Sequence, residues 1–492
     1  MSGSVTLVGA GCGHDLITIK GLKAIREADV LVYDDLIDMN LLSEVKPGAE
    51  KLYVGKRRDK HSEEQESIND ILVRKAKEGH KVVRLKGGDS FVFGRGGEEI
   101  LSFQEAGIPY AVIPGVTSAV AVPEHTGIPI THRGVAQSVT LITGHTATSK
   151  EENYNALAQL DGTLVFLMGL KNTKEITDKL MANGKNPDTP AAILSEGFTA
   201  REKRYNGTLK DIAEKAQEAQ TPAILVVGDT ADYHMERTIR GPLDGVSINV
   251  IGTDQFVGKL SGKLDDLEAD VRSFPCLKVS TVTEGIEALL KEEGLQEGKG
   301  SLPYHWILFT SANGVSSFFQ YLFSQKIDIR ILKDVKFACI GAGTGDKLWE
   351  YGIRTDFEPT KYTARVLGQE IVSHIKEGEK ALILRAENGS PDLAEELTKA
   401  NISFKDVIIY RTSQEDGVLV KLREDVDYTV FASGYGVETY FKENSLGENT
   451  TPVCIGPTTE KALRKYYDKN YLVATDHTAD GIVETILSDR QK

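Results

Sequence analysis

Arg84-Leu85-Lys86-Gly87-Gly88-Asp89-Ser90-Phe91-Val92-Phe93-Gly94-Arg95-Gly96-Gly97-Glu98-Glu99 is the stretch on which the reading of this chain turns. It places five glycines, three cations and three carboxylates directly behind the apolar pair Val82-Val83. Glycine at that density lets the backbone turn sharply and come close to a small molecule. A merely flexible linker does not interleave its glycines with Phe91, Val92 and Phe93. The run therefore reads as a ligand-holding loop at the end of a strand.

Working outward, short β-branched runs alternate with helical stretches, at Val5–Val8, Val30–Tyr33, Lys81–Leu85, Val139–Thr143, Thr163–Met168 and Ala223–Val227. This alternation predicts α/β architecture with largely parallel sheets. After Val227 the text changes: Met235 to Val246 carries Gly241, Pro242 and Gly245, and a fresh strand, Val246–Ile251, opens a second α/β series. At 492 residues the chain exceeds what one core usually serves, so two domains are expected, 1–242 and 246–492.

The second half repeats itself. Phe309-Thr310-Ser311-Ala312-Asn313-Gly314-Val315 returns as Phe431-Ala432-Ser433-Gly434-Tyr435-Gly436-Val437, and Cys339-Ile340-Gly341-Ala342-Gly343-Thr344 returns as Cys454-Ile455-Gly456-Pro457-Thr458-Thr459. Thr363-Ala364 and Thr478-Ala479 each follow 24 residues after their cysteine. Two similar lobes are implied. The repeated hydroxyls fall just after strands, where open α/β sheets bind ligands, although Ser and Thr there also serve as helix caps.

The net charge of −14 argues against nonspecific nucleic-acid binding. Cations are concentrated locally instead: Lys51, Lys56, Arg57, Arg58 and Lys60 face the single acid Asp59, a patch suited to a ligand carrying several carboxylates. Cys12, Cys276, Cys339 and Cys454 lie far apart with no C-x-x-C pair, and the ten histidines form no ligand motif, so no disulfide and no metal is predicted. No apolar run approaches the roughly 20 residues of a membrane span, and Met1-Ser2-Gly3-Ser4 lacks the start of a signal peptide. A cytoplasmic chain without membrane partners is expected.

Gly9-Ala10-Gly11-Cys12-Gly13 follows the first strand, which raises a dinucleotide site with Asp34 as ribose ligand. The glycines read G-x-G-x-G, without a properly spaced third glycine for helix packing. The alternative makes Asp34 a catalytic carboxylate at the carboxyl edge of the sheet.

Beside the Gly87-Gly88-Asp89 run the chain carries Tyr33-Asp34, Gly55-Lys56-Arg57, Pro114-Gly115-Val116-Thr117-Ser118, Gly127-Ile128-Pro129-Ile130-Thr131-His132-Arg133 and Met168-Gly169-Leu170. In this order these motifs resemble the uroporphyrinogen-III C-methyltransferases, over roughly residues 4 to 240. The resemblance implies a tetrapyrrole methylase fold of two α/β subdomains and S-adenosylmethionine as methyl donor. The donor would be held by Cys12, Gly87, Gly88, Asp89, Val92, Thr117, Ser118, Met168 and Gly197. It further implies Asp34 as proton acceptor, Lys56 as proton donor, and Arg57, Arg58, His132 and Arg133 on the substrate. Methyltransferases of this type pair as homodimers, so a dimer through the first half is expected. One departure is visible: the family's first loop reads G-A-G-P-G-D-P-x-L-L-T, whereas Gly9 to Thr18 has Cys12 in place of proline and is one residue shorter. A contact made there by backbone implies altered cofactor binding rather than none.

Residues 246–492 resemble uroporphyrinogen-III synthase through Phe309-Thr310-Ser311, Ile340-Gly341 with Thr344, Ile409-Tyr410-Arg411-Thr412 and Ile455-Gly456-Pro457-Thr458-Thr459. That family implies a two-lobed α/β synthase with parallel sheets, lobe one 246–280 plus 412–492 and lobe two 281–411. Ser311, Thr344, Tyr410, Ser433 and Thr459 would line its cleft, without a cofactor. Tyr410 is the candidate proton donor for loss of hydroxide. Together the resemblances imply a bifunctional enzyme of tetrapyrrole biosynthesis. It would cyclise hydroxymethylbilane to uroporphyrinogen III and methylate that twice to precorrin-2, from which sirohaem or cobalamin is made. The competing reading is a nicotinamide-dependent oxidoreductase built on Gly9-Ala10-Gly11, fused to a periplasmic-binding-like ligand-sensing module.

Overall fold

A computed structural model describes residues 3–13, 15–46, 48–55, 65–144, 152–295, 300–414 and 422–491. The chain divides into two compact units, Met1–Ile248 with Leu264–Ser273 and Asn249–Lys263 with Phe274–Lys492.

The first unit opens with a five-stranded parallel sheet of β1 (Ser4–Gly9), β2 (Val30–Tyr33), β3 (Glu50–Tyr53), β4 (Lys81–Lys86) and β5 (Tyr110–Ile113), in the order β3-β2-β4-β1-β5. Side chains alternate across a strand, so each face feeds its own core. Val8, Leu31, Tyr33, Val83 and Leu85 pack on one side. Val5, Leu7, Val30, Val32 and Val82 pack on the other, against Leu72 and Phe103.

The second sheet contains β6 (Val139–Thr143), β7 (Thr163–Leu167), β8 (Pro190–Ser195), β9 (Lys203–Thr208) and β10 (Ala223–Val227), ordered β6-β7-β10-β8-β9. Here the expectation of largely parallel sheets gives way to a mixed one. Only β6 and β7 pair in parallel, while β10 runs antiparallel to β7 and β8, and β8 antiparallel to β9. Residues 196–202, which join β8 to β9, are too few for a parallel crossover, which needs about a dozen.

The third sheet, which the second unit supplies except for the first residues of β11 and β12, contains β11 (Ser247–Thr253), β12 (Asp270–Thr281), β13 (Trp306–Phe309), β14 (Lys336–Cys339), β15 (Lys380–Ala386), β16 (Ser403–Gln414), β17 (Tyr428–Phe431), β18 (Thr451–Cys454) and β19 (Leu472–Val473). Their order is β14-β13-β15-β16-β12-β11-β17-β18-β19. The sequence repeat reappears in the register. Phe309 lies opposite Cys339 in one parallel pair and Phe431 opposite Cys454 in the other. The long strands β12 and β16 run antiparallel between the two groups, with Thr281 opposite Tyr410.

Candidate functional sites

In the first unit three loops converge at the carboxyl ends of β1, β4 and β5. Gly11 and Gly88 exchange backbone hydrogen bonds, Gly11 N to Gly88 O at 3.1 Å and Gly88 N to Gly11 O at 2.6 Å. A Cβ on Gly9 would stand 2.6 Å from Gly115 Cα, and one on Gly115 would strike the Gly88 carbonyl. These glycines are required by close approach of three backbones. Asp89 locks the junction: Oδ1 accepts from Phe91 N at 2.8 Å, and Oδ2 accepts from Gly115 N at 2.9 Å.

Gly88 itself has φ +65°, and nothing lies nearer than 3.9 Å to the place its Cβ would take, opposite Ser118 N and Thr117 Cα. Thr117 caps the helix Ser118–His125, its hydroxyl accepting from Ala119 N. A Cβ there would make only ordinary van der Waals contact, and a left-handed glycine facing a helix start is a geometry by which backbone meets a ligand. Gly87 is packed on Leu36, whose amide bonds Asp34 Oδ1 at 3.2 Å, so the Asp34 turn abuts the glycine run.

From there the contacts continue to the remaining cofactor candidates. Cys12 is half-buried against the apolar cluster that includes Ala119 and Val122, and burial pushes its thiol up to about 11. A Cβ on Gly13 would stand 2.6 Å from the Phe198 ring, and one on Gly197 2.5 Å from Val122. Glu202 fixes that turn, accepting from Phe198 N at 2.9 Å with His125 Nδ1 at 2.8 Å. Val92 is half-buried, and Met168, at the end of β7, is 56% exposed with φ +57°. His132 stacks on Tyr233 with ring centroids 4.8 Å apart, and Arg133 is exposed. Lys56, Arg57 and Arg58 lie outside the described residues, while Lys51 is on β3.

Asp34 is ion-paired, its Oδ2 2.9 Å from Nη2 of Arg84. Arg84, Lys86 and Glu99 are almost wholly buried, and Lys86 Nζ lies 2.8 Å from Glu99 Oε1. The Asp34 side chain is 25% exposed, so a carboxylate held on a buried guanidinium still reaches solvent. The sequence reading missed Arg84. Its signal was a charge interrupting the apolar strand Val82 to Leu85.

The second unit holds a cavity of about 810 Å³. Ser311, Thr344, Tyr410 and Ser433 line it. Thr459 does not, which corrects the expectation for that residue: it is 3% exposed on the inner face of the helix Pro457–Leu463. Its helix start is covered, because the His477 ring sits about 3.0 Å from where a Gly456 Cβ would be.

Both serines also cap helices, Ser311 accepting from Gly314 N and Ser433 from Gly436 N, each at 3.1 Å. The repeat extends to Tyr362 and His477, each 21 residues after its glycine, Gly341 and Gly456. Their rings meet edge to face across the cavity at 6.1 Å. Lys259 and Lys347 line it as well; neither was anticipated, since single lysines on amphipathic helices carry no distinguishing pattern.

No described helix is long and apolar enough to cross a membrane, and no metal-binding cluster occurs among the described residues. The sequence model of the tetrapyrrole (corrin/porphyrin) methylases matches residues 4–213, and that of uroporphyrinogen-III synthase HemD matches residues 258–484. A porphyrin biosynthesis protein HemD of Ruminiclostridium josui is 37% identical over 99% of this chain and 98% of its own length. A uroporphyrinogen-III C-methyltransferase of Methanocaldococcus jannaschii is 56% identical over 47% of this chain and 98% of its own length. Among solved structures, a uroporphyrin-III C-methyltransferase from Thermus thermophilus complexed with S-adenosylhomocysteine is 36% identical. It covers 46% of this chain and 93% of that one, with a TM-score of 0.41.

Proposed function

Because the chain belongs to the family that joins a tetrapyrrole methylase to uroporphyrinogen-III synthase, we propose that it performs two successive steps of tetrapyrrole biosynthesis. The second unit closes hydroxymethylbilane to uroporphyrinogen III. The first methylates that product twice, with S-adenosylmethionine as donor, to precorrin-2. The carrying observation is one relative aligned over 99% of this chain, with both family matches inside that span. It disfavours an oxidoreductase fused to a ligand sensor.

For methyl transfer, the proposed donor site is the glycine junction with Asp89, Val92, Thr117, Ser118, Met168, Gly197 and the Cys12 backbone. The fit rests on the left-handed Gly88 facing the helix start at Thr117 and Ser118, and on the close approach of the Gly9, Gly88 and Gly115 backbones. S-adenosylmethionine supplies an electrophilic methyl group carrying its own leaving group, so the protein's task is alignment more than activation. Asp34 is the proposed proton acceptor for the carbon that gains the methyl group, and Lys56 the proposed donor. Arg57, Arg58, His132 and Arg133 are assigned to the substrate's acetate and propionate groups.

For ring closure, Tyr410 is the proposed donor to the departing hydroxyl oxygen. Burial raises its pKa and the Ser311 bond opposes this, so the phenol keeps its proton at neutral pH. Ser311, Thr344 and Ser433 line the cavity that holds the flexible chain in closing geometry. The domain limits 1–242 and 246–492, lobe one 246–280 plus 412–492, lobe two 281–411, a homodimer through the first half and a cytoplasmic setting belong to the same proposal.

Supplying uroporphyrinogen III and isotopically methyl-labelled S-adenosylmethionine tests the first activity. Two labelled methyl groups per product molecule are expected. Failure to transfer label would overturn that assignment.

A further inference from the structure

β4 is the central strand of its sheet, and Arg84 points to the face occupied by Val30, Val32 and Val82. A guanidinium there is costly unless paired. Its side chain is 4% exposed, that of Lys86 7% and that of Glu99 0%. Glu99 lies in the first turn of the helix Gly96–Glu105, with Oε1 2.8 Å from Lys86 Nζ and 3.5 Å from Arg84 Nε. Two cations thus face one fully buried carboxylate. Asp34, 25% exposed, supplies the second and balances the group at its solvent end.

The guanidinium is held on its other edge as well, Nη1 donating to the Leu85 carbonyl at 3.0 Å. A planar fork fixed on two sides presents its remaining nitrogen in one direction. The coupling is visible at Lys86, whose pKa burial lowers, Arg84 adding to the effect while Glu99 and Asp34 oppose it.

We propose that Arg84, anchored by Glu99, is a positioning residue that sets the orientation of the Asp34 carboxylate for methyl transfer. The proposal rests on the reading of Asp34 as the group that serves the reacting carbon. Lysine at 84 keeps the buried charge but loses the fork, which makes Arg84→Lys the informative variant.

The test compares Arg84→Lys, Asp34→Asn and the double variant in the full chain, with S-adenosylmethionine and uroporphyrinogen III. Arg84→Lys should lower kcat of methyl transfer by about 10- to 100-fold, with KM and S-adenosylhomocysteine affinity within about threefold of the parent. In the Asp34→Asn background it should cause no further loss, as expected when one residue acts through the other. Unchanged kcat in Arg84→Lys, or an equal additional loss in the double variant, overturns the proposal while leaving Asp34 in place. Full activity of Asp34→Asn overturns both. Should Arg84→Lys fail to bind S-adenosylhomocysteine, Glu99→Asp, which shortens the anchor by one methylene, takes its place. A loss of about 3- to 10-fold in kcat that vanishes with Asp34→Asn supports the chain of contacts, and a loss that persists there contradicts it.

Discussion

The Tyr410 hydroxyl lies 2.6 Å from Ser311 Oγ, joining the long strand β16 to the helix start that Ser311 caps. A phenol removed from water and given one hydroxyl partner stays protonated and aimed. Tyr410→Phe should therefore slow ring closure by about 10²- to 10⁴-fold, the range for loss of a general acid. Ser311→Ala removes the partner and a helix cap, costing about 1 kcal/mol of stability, and should slow closure less than Tyr410→Phe does. Rates on hydroxymethylbilane measure this order, and its reversal would assign the proton to Ser311.

Asp34→Ala should abolish methyl transfer while ring closure continues, so unmethylated uroporphyrinogen III should accumulate from hydroxymethylbilane. A loss of about 10²-fold or more is expected. A drop below tenfold would reduce Asp34 to an orienting group.

Strands β2, β6 and β10 begin and end where short runs rich in β-branched and apolar residues put them, and the repeat in the second half was legible because it preserved whole motifs. Lys203–Thr208, reading Lys-Arg-Tyr-Asn-Gly-Thr, was not legible as a strand. It is an edge strand with one neighbour, where polar residues face water and leave no apolar period. The same limit separates the site residues. Glycines at a backbone junction and serines after strands announce themselves locally. By contrast, Arg84 with Asp34, 50 residues apart, and Tyr362 with His477, 115 apart, meet only through folding. Thr459 shows the opposite failure, a residue that repetition pairs with Thr344 but that is 3% exposed and does not line the cavity.

Gly115→Ala should damage the methylation site alone. The added Cβ would meet the Gly88 carbonyl and the Gly9 backbone, and backbone cannot rotate aside as a side chain can. Overpacking of this kind costs about 1–3 kcal/mol or more. Calorimetric titration with S-adenosylhomocysteine should show a loss of about 100-fold or more. Affinity within threefold of the parent would mean that the three loops do not form the site.

Burial pushes Cys339 and Cys454 up to about 12, the thiolate being the disfavoured form without water. Folded pKa values lie above the unfolded value of about 8.5. Their contribution to stability is therefore complete below that pH and falls away as pH rises toward 12. At pH 8 neither thiol should react with a thiol reagent faster than the unit unfolds. Rapid labelling of either on the native protein, read by peptide mass, would contradict the buried register of β14 and β18.

The most direct test of two activities in one chain is product analysis after hydroxymethylbilane is supplied with and without S-adenosylmethionine. Without the donor, the product should be uroporphyrinogen III; with it, the dimethylated precorrin-2. Formation of only the type I isomer, or of unmethylated product in the presence of donor, would contradict the account.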